Sequence, residues 1–166
     1  MAALHIEALI PPEEDNFRWN ETNGTPVSVT FSFMSAPAGY LGSPDTDGFM
    51  VFTAQQMQAA RTVLALYAEI ANIRFQEVAS GTGSINMGTA DLGAGIGGWA
   101  YYPRHGYAGA NDGNVYGDVW ITNRFSNYNN PTPGSHPYLT YTHEIGHAIG
   151  LKHPGNYGSG DTAPFL

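Results

Sequence analysis

The sequence predicts a single α/β domain, a mixed sheet with two long helices. Three observations carry that expectation. Short runs of β-branched and aromatic residues recur between residues 27 and 122. Two longer segments place apolar residues at helical spacing. The 166 residues, 42% hydrophobic and 13% aromatic, suffice for one core rather than two. Gly and Pro are plentiful, at 21 and 11, so many turns and long surface connections are expected.

Residues 1–25, broken by Pro11-Pro12 and the acidic Glu13-Glu14-Asp15, read as an N-terminal surface arm. Val27 to Met34 (VSVTFSFM) alternates in the manner of a half-buried strand. Residues 36–51 carry turn residues and read as a loop. The clearest helix follows, from Thr53 to about Asn72. Thr53 and Gln56 are spaced as a capping box, and Phe52 and Met57 as a hydrophobic staple. Met57, Ala60, Leu64, Tyr67, Ala68 and Ala71 define its expected buried face. Further strands are expected at Ile73 to Val78, Ser84 to Met87, Trp99 to Tyr102 and Val115 to Thr122. Between them lies a glycine-rich turn, Gly93 to Gly98. That turn has neither the lysine nor the strand-to-helix setting of a phosphate loop. The last helix is expected from about Tyr138 to Ile149. The paired tyrosines, Tyr101-Tyr102 and Tyr138 with Tyr141, read as core and edge packing.

Six Lys+Arg stand against fourteen Asp+Glu, a net charge of -8. With no basic run, the chain is expected to bind neither nucleic acid nor an anionic membrane. No cysteine is present, so a metal must be held by His or carboxylate. No stretch approaches the roughly 18 apolar residues of a membrane helix. The N-terminus lacks the positive charge of a Sec-type signal peptide.

The chemistry is concentrated in residues 143–153, His-Glu-Ile-Gly-His-Ala-Ile-Gly-Leu-Lys-His. A helix turns by about 100° per residue, so His143 and His147 project about 40° apart, one turn apart on one face. Both imidazoles reach one ion at the ~2.0–2.1 Å that zinc prefers. Glu144 lies beside this pair, near the open side of the metal rather than in its ligand shell. Gly150 allows the left-handed stop of a helix, His153 then swings in as a third ligand, and Pro154 prevents the helix from resuming. The opposite face, Tyr141, Ile145, Ala148 and Ile149, packs on the sheet. Three neutral protein ligands leave a fourth position for water, the mark of a catalytic zinc site. The expected function is a zinc-dependent endopeptidase, in which Glu144 activates the zinc-bound water and returns the proton to the leaving amine. Two alternatives stay open: a zinc-binding but inactive module used in binding, and a metal-dependent hydrolase of other substrates. His5, His105 and His136 have no partners at ligand spacing and read as surface or hydrogen-bonding residues.

The string His143–His153 resembles the zinc signature of the metzincins. Its continuation His153-Pro154-Gly155-Asn156-Tyr157, together with Gly98–Pro103 (GWAYYP) and Gly117–Ile121 (GDVWI), resembles the serralysin branch of secreted bacterial proteases. The resemblance runs from about Val27 to the end of the chain. It implies a metzincin-type (zincin-like) five-stranded mixed sheet with a backing helix and an active-site helix. The fourth strand is then an antiparallel edge along the cleft, so Gly98, Trp99, Ala100, Tyr101 and Tyr102 would bind an extended peptide. It also implies a peptide or protein substrate, secretion without a Sec-type signal, and calcium as a second ion in the intact protein. The resemblance further places residues 26–166 as the catalytic domain, ending before the methionine turn that floors a metzincin site. All five methionines precede the zinc string. The expectation is therefore that a further C-terminal segment or chain completes the domain.

Overall fold

The computed structural model describes residues 9–11, 15–43, 45–107 and 113–153. Its regular elements are β1 (Val27–Phe33), α1 (Ala54–Ile70), β2 (Ile73–Glu77), β3 (Ile85–Ala90), β4 (Gly98–Ala100), β5 (Val119–Thr122), a 3-10 turn (Ser126–Asn129) and α2 (His136–Ala148). The five strands form one sheet in the order β2-β1-β3-β5-β4. Four run parallel, and β4 pairs antiparallel with β5 at the edge. This is the α/β architecture expected from the sequence.

Both helices lie on one face. The core there joins Val29, Phe31 and Phe33 of β1, Val63 and Leu64 of α1, Ile85 and Met87 of β3, and Tyr141 and Ile145 of α2. The other face, at the β3–β5–β4 end, is covered by the loop after β1. Leu41 and Phe49 of that loop pack on Met34, Ala90, Leu92 and Trp120. Coverage on both sides explains why every residue of β3 is buried. Its polar Asn86 is satisfied there: Ser32 Oγ donates to Asn86 Oδ1 at 2.6 Å, and Asn86 Nδ2 donates to Gly83 O at 3.0 Å and Asp118 Oδ1 at 3.1 Å.

α1 starts on the expected capping box. Gln56 N donates to Thr53 Oγ1 at 3.2 Å, and Thr53 N to Gln56 Oε1 at 2.7 Å. Its buried face differs from the predicted stripe. Gln56, Ala59, Ala60, Val63 and Leu64 are buried, whereas Ala68 is exposed and Met57 and Tyr67 only partly buried. Gln56 joins the buried face because its side chain turns inward and donates to Tyr128 O at 3.1 Å. A buried polar residue with a partner is invisible to a hydrophobic pattern. The expected strand from Val115 begins only at Val119, because 115–118 form a turn with Gly117 at φ +86°. α2 begins two residues earlier than expected, with Ser135 Oγ accepting from Tyr138 N at 3.2 Å.

Candidate metal centre

α2 crosses beneath β4 and β5 with Tyr141, Ile145 and Ala148 fully buried against the sheet. The face so fixed turns His143 and His147 toward one point. The helix then stops in a Schellman arrangement: Gly150 N donates to His147 O and Leu151 N to Gly146 O, both at 2.9 Å, with Gly150 at φ +107°. That reversal returns the chain and carries His153 back over the helix end. The three Nε2 atoms lie 3.1 Å (His143–His147), 3.0 Å (His147–His153) and 2.8 Å (His143–His153) apart.

The same stop sets the tautomer of His147. Its Nδ1 lies 2.6 Å from Leu151 O. A carbonyl only accepts, so Nδ1 carries the proton and the Nε2 lone pair faces the cluster. Burial holds the pKa of His147 and His143 below the usual histidine value, with the neighbouring rings adding to the effect. Metal ligation requires all three Nε2 lone pairs to face inward, and a cation among them would offset their mutual repulsion. Nitrogens about 2.0–2.1 Å from a tetrahedral ion lie roughly 3.3 Å apart, close to the observed triangle. Among the described residues this is the one group of three or more His, Cys, Asp or Glu side chains able to hold a metal ion. The donor set fits zinc.

Glu144 sits beside the triangle, 6% exposed. Burial raises its pKa to about 7. A Cβ placed on Gly98 would lie 2.9 Å from Glu144 Cγ, so β4 crosses directly over this carboxylate side chain. Tyr102 is near as well: its hydroxyl pKa is raised by burial and then by the charge of Glu144. On either side of β4, Gly97 O accepts from Thr122 N and Tyr101 N donates to Asp118 O, both at 2.9 Å. Backbone groups alternate along an antiparallel strand, so those of Gly98 and Ala100 point to the open edge.

Sequence reasoning missed the residues that brace this centre from the arm. Trp19 Nε1 donates to Ala148 O at 2.8 Å, at the last turn of α2. Phe17 stacks on Tyr102 at 4.7 Å, and Tyr102 meets the His147 ring edge-on at 5.3 Å. Lys152 N donates to Leu9 O at 2.8 Å, beside His153. No periodicity links residues so far apart in the chain; a lone tryptophan in a polar arm was the available signal. The remaining histidines lie elsewhere. His105 Nε2 is 2.9 Å from Glu21 Oε2, and His136 Nδ1 is 3.1 Å from the Tyr128 hydroxyl. His5 lies outside the described residues.

A mixed five-stranded sheet with one antiparallel edge, over a helix and turn that gather three histidines, defines the metzincin class of fold. No family model matches the chain. It is 36% identical over 159 residues to serralysin C of Dickeya chrysanthemi, covering 90% of this chain and 31% of that protein. It is 36% identical over 143 residues to the metallopeptidase AprA of Pseudomonas marginalis (83% and 29%). It is 33% identical over 165 residues to serralysin of Proteus mirabilis (93% and 33%). The chain is thus a serralysin-like metzincin segment, spanning about a third of the length of the relatives it matches.

Proposed function

We propose that this chain carries the catalytic centre of a zinc-dependent endopeptidase, with His143, His147 and His153 as the metal ligands and Glu144 as the general base. The observation that carries the reading is the convergence of three Nε2 atoms within 3.1 Å beside a buried carboxyl group. The serralysin and metallopeptidase relatives support it.

Zinc, when bound, supplies Lewis acidity that polarises a carbonyl oxygen and acidifies water. The chain's own residues do the rest. Glu144, with a pKa of about 7, matches the requirement for a group that both accepts and returns a proton near neutrality. It takes the proton of the attacking water and delivers it to the departing amine nitrogen. The peptide lies along β4 as an added strand, using the outward backbone groups of Gly98 and Ala100, with Trp99, Tyr101 and Tyr102 shaping the same edge. Backbone recognition of this kind suits protein substrates of varied sequence. Glu144 and the edge thus act on the same bond, because Gly98 lies against Glu144.

In this reading residues 26–166 belong to the catalytic domain, 1–25 form the preceding arm, and a further segment or chain completes the cleft. The protein acts outside the cell, and calcium serves the intact protein. Among the described residues no helix is long and apolar enough to cross a bilayer. The test is cleavage of an unfolded protein by this chain. Cleavage should be abolished by a zinc chelator and restored by zinc. Zinc bound at one per chain without cleavage would instead mark a non-catalytic binding module or an incomplete cleft, and adding the completing segment would separate these.

A further inference from the structure

β4 has only three residues and lies at the sheet edge. A strand so short and half-open should fray unless something besides its pairing with β5 holds it. The holding group comes from the loop after β1. Asp45 is 4% exposed, and its two carboxylate oxygens are each used: Oδ1 accepts from Trp99 Nε1 at 3.0 Å and Oδ2 from the Tyr101 hydroxyl at 2.8 Å. Trp99 and Tyr101 are two apart, so both point away from α2, onto the face covered by Leu41 and Phe49. The intervening Ala100, with Gly98, faces α2 and the metal centre. A second tie runs from the same loop. Tyr40 donates its hydroxyl to Asp118 Oδ2 at 2.9 Å, and Asp118 O accepts from Tyr101 N. Leu41 and Phe49 supply the apolar half of the clamp.

We propose that Asp45 is a positioning residue for the substrate strand. By gripping Trp99 and Tyr101 from behind the sheet, it fixes the height and register at which the free backbone edge of Gly98 and Ala100 meets a peptide. This inference rests on the reading of β4 as the peptide-docking edge. Asp45 touches neither substrate nor metal. Its effect therefore falls on recognition of an extended peptide, and the metal centre on α2 is left as it is. The pair of donors is spaced for a carboxylate; an amide offers one acceptor oxygen where two are needed.

Two measurements on the whole chain test this. Amide hydrogen exchange, read without substrate, should quicken about tenfold or more at Trp99 and Tyr101, whose N–H groups face β5, in Asp45→Ala, while β3 and α2 keep their protection. Asp45→Asn should fall between Asp45→Ala and the unmodified chain. Adding Trp99→Phe and Tyr101→Phe to Asp45→Ala should change β4 little further, because the partners are already lost. With a peptide substrate, KM should rise roughly tenfold, about 1.4 kcal/mol of binding, while kcat and zinc content stay near their original values. Exchange that quickens equally in β3, or not at all, would overturn the anchor. A fall in kcat with KM unchanged would overturn its role toward the peptide. If Asp45→Ala does not fold, Asp45→Asn and the two Phe variants give the same readings. Should the chain cleave nothing even with the completing segment added, the protease reading fails while the exchange result still decides whether Asp45 holds the strand.

Discussion

Gly98→Ala adds one methyl group at the crossing of β4 and α2. Its Cβ would stand 2.9 Å from Glu144 Cγ, 2.9 Å from Trp120 O and 3.0 Å from Thr140 Cγ2. Carbon contacts are comfortable at about 3.5–4.0 Å, so roughly 0.5–1 Å must be found. Trp120 is fully buried in β5 and directly opposite Trp99, which leaves β4 or Glu144 to move. Overpacking of this kind costs about 1–3 kcal/mol, or a Tm lower by about 2–4 °C for each kcal/mol in a chain of this size. The functional cost is larger, because a displacement of about 1 Å at a reacting group lowers rate on the order of 100-fold. Zinc content should be unchanged, since none of the three clashing neighbours is a histidine. The assay is kcat/KM on an unfolded protein substrate, with Tm and bound zinc measured alongside. Gly39→Ala, where an added Cβ meets nothing within 4 Å, serves as the control and should be nearly silent. Full kcat/KM in Gly98→Ala would refute the placement of β4 over Glu144 as a functional contact.

Other outcomes follow from the same geometry. Glu144→Gln should retain one zinc per chain and its fold while cleavage falls by about 10²–10⁴-fold; loss of zinc in this variant would show a structural role. Trp19→Phe keeps an aromatic side chain, though a smaller one, and removes the donor to Ala148 O, costing about 1 kcal/mol or more. Urea unfolding should report that loss, and competition with a chelator should show weaker zinc retention. Asp118 is buried among Tyr40, Asn86 and the charge of Asp45, and burial raises its pKa from 3.8 to about 7. The folded state therefore holds a proton that the unfolded state releases between those values, so stability falls as pH rises through the interval and is level above it. At about 1.4 kcal/mol per pH unit the effect is bounded near 4 kcal/mol. In Asp118→Asn the slope between pH 4 and 7 should flatten, which urea unfolding at stepped pH would reveal.

What the sequence disclosed was local. The Thr53–Gln56 box, the left-handed stop at Gly150 and the shared face of His143 and His147 all depend on residues within about one turn of each other. Their physics is contained in spacing alone. The alternation of Val29, Phe31 and Phe33 likewise placed β1 and its buried face. What stayed hidden was set by contacts across the chain. Gln56 is a core residue because Tyr128 offers it a carbonyl. The strand expected from Val115 is shortened by the turn at Gly117, where an added Cβ would strike the ring of Trp19. The centre looked complete with four residues, yet Trp19 and Ala148 are 129 positions apart, and Asp45 acts on β4 through the sheet. Such pairings have no period, so only the fold brings them into view.

The most direct test of the proposed centre is the coordination shell of zinc in the loaded chain, measured by X-ray absorption. One zinc per chain is expected, with three imidazole nitrogens at about 2.0–2.1 Å and a single light fourth ligand, and the imidazole count should fall in His153→Ala. A shell of oxygens alone, or an imidazole count unchanged in that variant, would contradict the proposed centre.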